Sequence, residues 1–126
     1  MEYNNDFRHD LKVGQVAEKE LGNILQDATI EVKYDQQYLR TGNFYIEYIS
    51  RGKRSGIATS EADYWALIGE LRQIHIIKTE LLRERLREFK KYCEHYGKPA
   101  NKTWQVKGGD NNTSIGFLVR LKDIFY

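Results

Sequence analysis

The chain has 126 residues, 40% hydrophobic, 13% aromatic and 30% charged, with a formal net charge of +2. That length suits one domain with its own core and hardly two, and so small a net charge excludes a globally basic nucleic-acid binder, leaving only a local basic footprint. Cys93 is the only cysteine, which excludes a disulfide framework and a cysteine zinc site. No apolar run approaches the ~20 residues needed to span a bilayer, and the polar, acidic N-terminus is unlike a signal peptide. The expectation is therefore a soluble, cytoplasmic protein without a membrane partner.

The predicted elements run α, several β, α, then a β-like tail, with no repeat and no visible domain boundary. From about Leu11 to Gln26, Val13, Ala17, Leu21, Ile24 and Leu25 recur at helical spacing and form one apolar stripe. Gly14 and Gly22 lie within this helix, each at a cost of about 1 kcal/mol relative to alanine, which suggests close packing there. Thr29 to Asp35 alternates charged residues with Ile30, Val32 and Tyr34, a strand pattern that puts Glu31, Lys33 and Asp35 on one side. Phe44 to Ile49 is the next strand. If it pairs back through a turn around Thr41-Gly42-Asn43, an even register sets Glu47 opposite Lys33. An odd register turns Glu47 away.

Arg51-Gly52-Lys53-Arg54-Ser55-Gly56 is a basic, glycine-punctuated turn, and Thr59 to Ala62 reads as a short helical turn with a hydroxyl cap. Tyr64 to Ile68 and Ile74 to Lys78 form a second hairpin. Thr79 caps a long helix to about Tyr96, buried along Leu82, Leu86, Phe89 and Cys93 and ended by Gly97 and Pro99. Two extended pieces, from Trp104 to Val106 and from Ile115 to Leu121, flank a glycine-rich loop.

Glu31, Asp35 and Glu47 beside Lys33 are the chemically suggestive set. Carboxylates that close repel one another unless a cation or deep solvation relieves them, and a divalent metal is the economical explanation. On alternation alone the same residues describe an amphipathic hairpin with a solvated face and a cross-strand Lys33–Glu47 pair. Mixed charge on the long helix reads as a salt-bridged exposed face. Tyr64 and Trp65 read as core rather than as a base-stacking platform, and Asp63 as a structural cap. His9, His75 and His95 have no metal-ligand spacing.

The order of these motifs resembles the PD-(D/E)XK phosphodiesterase superfamily. The residues that carry the resemblance are Gly14-x-x-Ala17-Glu18 on a helix, Glu31-x-Lys33-x-Asp35 on a strand and Glu47 on the next. Thr41-Gly42-Asn43, Ser55-Gly56-Ile57 and Glu61-Ala62-Asp63-Tyr64-Trp65 are similar to small phage nucleases of that superfamily, and the layout is similar to archaeal-type Holliday junction resolvases. The resemblance spans roughly residues 10 to 90. It implies a single α/β domain over residues 1–126 with a restriction-endonuclease-like mixed β-sheet flanked by helices, an αβββ/αβ core.

It also implies Mg²⁺-dependent cleavage of DNA phosphodiesters, with Mn²⁺ as a substitute, on branched or other unusual structures. Such a protein acts in the cytoplasm of a phage host and as a homodimer. Two mappings are open. One takes Glu31-Val32-Lys33 as the Glu-x-Lys motif, but Asp27 then lies too close for the preceding aspartate. The favoured one takes Asp35 and Glu47 as metal ligands, Lys33 as the water-orienting group, Glu31 as a further ligand and Glu18 as the helix glutamate, with Glu20 second. Ile49 then stands where the lysine belongs. These residue types suit the chemistry, because Mg²⁺ prefers hard oxygen ligands and neutralises the phosphate charge while a lysine stabilises developing charge. Arg51, Lys53 and Arg54 would hold DNA phosphates. The alternatives are a non-catalytic nucleic-acid-binding module and a structural or interaction protein.

Overall fold

The structure, a computed structural model, describes residues 3–96 and 105–126. The expected ends of the long helix at Gly97 and Pro99, and the extended start at Trp104, lie outside the described residues. The architecture is mixed α/β, with two separate sheets rather than one. Helix α1 (Tyr3–Gln26) leads into strand β1 (Ile30–Tyr34), the short helix α2 (Tyr38–Thr41) and strand β2 (Phe44–Ser50). Strand β3 (Lys53–Arg54), a 3-10 turn (Gly56–Ala58), β4 (Tyr64–Glu70) and β5 (Gln73–Lys78) follow. Helix α3 (Thr79–Tyr96), β6 (Gln105–Gly108), β7 (Ser114–Val119) and α4 (Leu121–Phe125) complete the chain. Among the described residues no helix is long and apolar enough to cross a membrane.

The first sheet has the order β1-β4-β5, with β1 parallel to β4 and β4 antiparallel to β5; the second has the order β3-β2-β7-β6. The expected β1–β2 hairpin is therefore absent. Thr41 ends α2, and Gly42, at φ 74°, caps it by donating its N–H to the Tyr38 carbonyl. Glu47 faces Gly116 of β7, and Lys33 faces Leu67 of β4, so the cross-strand Lys33–Glu47 pairing does not form. An apolar surface was available to β2 elsewhere: Phe44 and Ile46 are wholly buried in the core with β7 and α3, and full burial of such side chains is worth about 1.5–3 kcal/mol each.

One core unites the two sheets. It holds Phe44 and Ile46 of β2, Trp65 and Leu67 of β4, Phe117 and Val119 of β7, and the α3 stripe Leu82, Leu86, Phe89 and Cys93. That stripe, the β4–β5 hairpin and the buried state of Tyr64 and Trp65 match the sequence expectation. Helix α1 differs: nothing lies within 4 Å of a Cβ built on Gly14 or Gly22, so those glycines mark no close approach. The short helical turn sits at Gly56–Ala58, ahead of its expected place at 59–62. Helix α4, unforeseen, buries Ile124. The Thr79 hydroxyl donates to the Ala62 carbonyl at 2.6 Å, so it ties α3 to the loop before β4.

Gly56 is where the second sheet and the loop touch. Its φ is 54°, and a Cβ there would lie 2.2 Å from the Glu47 carbonyl oxygen. Left-handed backbone costs an L-residue about 1–2 kcal/mol, and the backbone clash adds to it. Gly56→Ala should thus lower the unfolding free energy by at least about 2 kcal/mol, read as a drop in urea midpoint with an unchanged slope. An unchanged midpoint would mean that the turn is not held against β2.

Candidate functional site

Asp35 follows β1 and is 9% exposed. Its Oδ1 accepts the Gln37 N–H at 2.9 Å, and its Oδ2 accepts the Tyr45 N–H at 2.9 Å. This carboxylate closes the turn ahead of α2 and fastens the end of one sheet to the start of the other. Lys33 places its Nζ 5.6 Å from the centre of the Tyr45 ring, within cation–π range. Glu47 shares the Tyr45 side of β2 and accepts the Ser55 hydroxyl at 2.8 Å on Oε2. Lys33, Asp35 and Glu47 thus all flank Tyr45, although no hairpin joins them. Glu31 is exposed on β1, and Glu18 is exposed on the outer part of α1, apart from that set.

The expected acids already have hydrogen-bond partners that compete with a shared divalent ion. Mg²⁺ asks for a couple of carboxylates turned to one point with open oxygen positions. Asp35 accepts one backbone amide on each oxygen and Glu47 accepts a hydroxyl on Oε2, which leaves fewer open positions for an ion. Among the described residues no group of three or more His, Cys, Asp or Glu side chains is placed to hold a metal.

A different acid network surrounds Glu20, the sequence's second choice on the helix. It lies in a cleft of ≈ 390 Å³ with Asn23, Asp27, Asp63, Tyr64 and Lys78. Glu20 accepts the Tyr64 hydroxyl on Oε1, and the Lys78 Nζ lies 3.3 Å from the same oxygen. The Tyr64 hydroxyl and then Lys78 hold the Glu20 carboxyl below its ordinary range, while the carboxylate pushes the Tyr64 phenol up to about 12. Asp63 accepts the Thr29 N–H at 3.0 Å, the structural role expected of it.

The basic residues converge elsewhere. A groove of ≈ 240 Å³ runs between α3 and the second sheet. Tyr48, Ile57, Leu86 and Phe117 form its apolar floor, and Arg54, Arg83, Arg87 and Lys90 line its rim. The Tyr48 and Phe117 rings stack at 4.6 Å. Burial pushes the Tyr48 phenol up, so it stays a neutral hydroxyl. Arg83 has a structural duty: its Nε donates to the Ile57 carbonyl at 2.9 Å, with further bonds to the Ser60 carbonyl and Glu80. Arg54 donates to the Ala58 carbonyl at 3.1 Å, and Lys90 lies 3.7 Å from Glu94.

Arg87, like Arg51 and Lys53 on the nearby turn, has no side-chain partner among the described residues. The turn bends at Arg51 and Gly52, both at positive φ (50° and 76°), which brings Lys53 and Arg54 back alongside β2. By sequence the mixed charge on α3 reads as an exposed salt-bridged face, whereas four of its positions line this groove. The missed signal was their spacing: Arg83, Leu86, Arg87 and Lys90 fall at i, i+3, i+4 and i+7, one face of the helix.

Comparison with family models, with curated proteins and with solved structures finds no match to this chain.

Two outcomes follow from this geometry. Asp35→Ala strands two amide donors, each worth about 1–3 kcal/mol when orphaned. It should lower stability markedly in chemical denaturation, with Asp35→Asn in between because one acceptor remains. No loss of stability would remove the clamp role. In an ultraviolet pH titration of the nine tyrosines, one should ionise only near pH 12. A phenol raised above its unfolded value contributes stability below pH ~10 that is lost as pH rises through 12. Glu20→Gln should bring that titration down toward the ordinary range, burial and the Asp63 charge still holding it somewhat above, and an unchanged curve would disprove the pair.

Proposed function

We propose that the chain is a nucleic-acid-binding domain whose backbone-contacting surface is the α3 groove and the adjoining Arg51–Arg54 turn. The observation that carries the reading is a stacked aromatic floor rimmed by cations, with Arg87 unengaged among the described residues. Sequence-independent binders of single strands pair these two features: cations follow the phosphates, and aromatic or apolar surfaces meet the bases. The groove sits below the usual small-molecule pocket size of about 300–1,000 Å³ and suits a single planar group with its phosphate at the rim. Because the basic patch is local, it is compatible with a net charge of only +2.

Cleavage of phosphodiesters by a restriction-endonuclease-like domain is the second reading. The resemblance suggests it, and the gathering of Lys33, Asp35 and Glu47 around Tyr45 favours it. Because no group of three or more His, Cys, Asp or Glu ligands gathers among the described residues, binding is the reading given precedence.

One set of samples separates the readings. Fluorescently labelled single-stranded and duplex DNA are titrated with protein in EDTA and in Mg²⁺, across a salt series, and the DNA is then sized on a denaturing gel. Binding should persist in EDTA and weaken linearly with salt on logarithmic axes. Arg87→Ala and Lys90→Ala should each weaken it by several-fold and lower the salt slope by about one. Absence of retention at low salt, or indifference to both substitutions, would sink the binding surface. Cutting in Mg²⁺ that Glu47→Ala abolishes would move the assignment to the second reading.

A further inference from the structure

The groove between α3 and the second sheet has a hydrogen-bonding bias that its charge alone does not describe. Its floor is closed and apolar: Ile57 and Leu86 are 3% exposed and Phe117 6%. Among the floor side chains only Tyr48, half-buried and stacked on Phe117, carries a polar atom. A planar ring laid on such a floor turns its edge toward the polar groups around it. Those few groups then decide which ring is accepted.

Every polar side chain that lines the groove can donate a hydrogen bond, and most can do nothing else. Arg54, Arg83, Arg87 and Lys90 carry N–H groups and no acceptor, while the Tyr48 hydroxyl does both. Among the described residues no Asp, Glu, Asn or Gln lines the groove. The nearby backbone carbonyls are already engaged: those of Ile57 and Ser60 accept from Arg83, and that of Ala58 accepts from Arg54. The Tyr48 hydroxyl, which burial keeps neutral and to which no described residue bonds, is the acceptor left open.

Nucleobases differ in what their edges offer. Adenine, cytosine and guanine each carry an exocyclic amino group, whereas uracil and thymine carry none. Arginine and lysine suit the oxo acceptors of a base, but an amino group calls for Glu, Asp, Asn or Gln. Seated here, an amino group would lose its water without gaining an acceptor, which is costly. Uracil and thymine bring two oxo acceptors and one ring N–H, and that set matches a lining of donors with one open acceptor. Pairing would occupy the same edge and duplex stacking the same faces, so only an unpaired base can lie on the floor.

We propose, on the footing of the nucleic-acid reading, that the groove seats one unpaired uracil or thymine and discriminates against bases that carry an amino group. In that seat the Tyr48 hydroxyl accepts the ring N–H, and rim donors that phosphate does not occupy meet the oxo groups. The apolar floor covers one face of the ring. The adjoining Arg51–Arg54 turn follows the phosphates on either side. A binder read from its cations alone would be indifferent to base identity; the shortage of acceptors in the lining is what makes this one selective.

The test is fluorescence anisotropy of the full chain with short labelled strands of equal length, in EDTA and low salt at slightly alkaline pH, where cytosine is unprotonated. The strands are oligodeoxyuridine, oligodeoxycytidine and an abasic sugar–phosphate chain that reports backbone contacts alone. Oligodeoxyuridine should bind at least about fivefold more tightly than oligodeoxycytidine, and more tightly than the abasic chain. Tyr48→Phe keeps the ring and removes the open acceptor, so it should lower oligodeoxyuridine affinity and narrow the ratio. Ala58, half-buried in the lining, offers a second variant: Ala58→Asn adds a neutral acceptor, so it should raise oligodeoxycytidine affinity and leave the salt slope unchanged. Circular dichroism checks that both variants fold. Equal affinity for the two pyrimidine strands, abasic binding as tight as oligodeoxyuridine, or a ratio that neither folded variant moves would overturn the proposal and leave the nucleic-acid reading standing. Failure to retain any strand would overturn both.

Discussion

The carboxylate of Asp35 is the joint on which the two-sheet arrangement depends. Strand β3 reaches only Ile49 and Ser50 of β2, so the first half of β2 has no strand on that side to take its amides. A buried backbone N–H without an acceptor is costly, and the Tyr45 amide is met by Asp35 instead. The other oxygen holds the Gln37 amide and so starts α2, whose Tyr38 stacks on Phe44 at 4.4 Å and lies against Gly69. A single side chain thereby sets the distance between the β1 terminus and β2. Phe44 and Ile46 enter the core from a start point that this residue defines.

The basic groove is a product of the same core. Leu82, Leu86, Phe89 and Cys93 orient α3 by burying one stripe, and the residues beside that stripe are then carried to the edge of β2 and β7. Arg83 shows what fixes the edge: it spends its donors on the carbonyls of Ile57 and Ser60, pinning the 3-10 turn that supplies Ile57 to the groove floor. Charge there is organised by backbone acceptors as well as by acids. Arg87, one turn on, meets neither among the described residues and keeps its guanidinium in solvent at the groove mouth.

What was legible in the sequence follows from the range of the interactions. Alternation and helical spacing are local, and β1, β2, the β4–β5 hairpin and the α3 stripe were readable from them. Pairing is not local. The choice of β7 over β1 as the neighbour of β2 was settled some seventy residues downstream, where Gly116 lets the Tyr45 ring pass close by. The acids illustrate the same limit. Asp35 was readable as a residue with a task, but a carboxylate that binds two amides and one that binds a cation look alike in sequence. The Ser55–Glu47 contact needs a turn at Gly56 whose left-handed backbone glycine permits, and nothing in Arg51 to Gly56 says which strand it will touch.

The α1 stripe shows the converse. Its periodicity is as clear as that of α3, yet α3 is buried and α1 is exposed, so amphipathicity specifies that a face will be covered and not by what. The difference lies in the connections. Helix α3 follows β5 directly and its first residue donates into the loop before β4, which lays it along the core. Helix α1 is tethered only by its C-terminal turns, around a Glu20 carboxylate that a phenol and an ammonium hold ionised. That anchor sits in the α1 stripe itself, where an unpaired acid would oppose burial. Pairing it with Tyr64 and Lys78 resolves the conflict at one end of the helix. The apolar residues Val13, Leu21 and Leu25 of the stripe, and Val32 and Ile74 on the sheet face beyond Tyr64, stay largely exposed in the single chain.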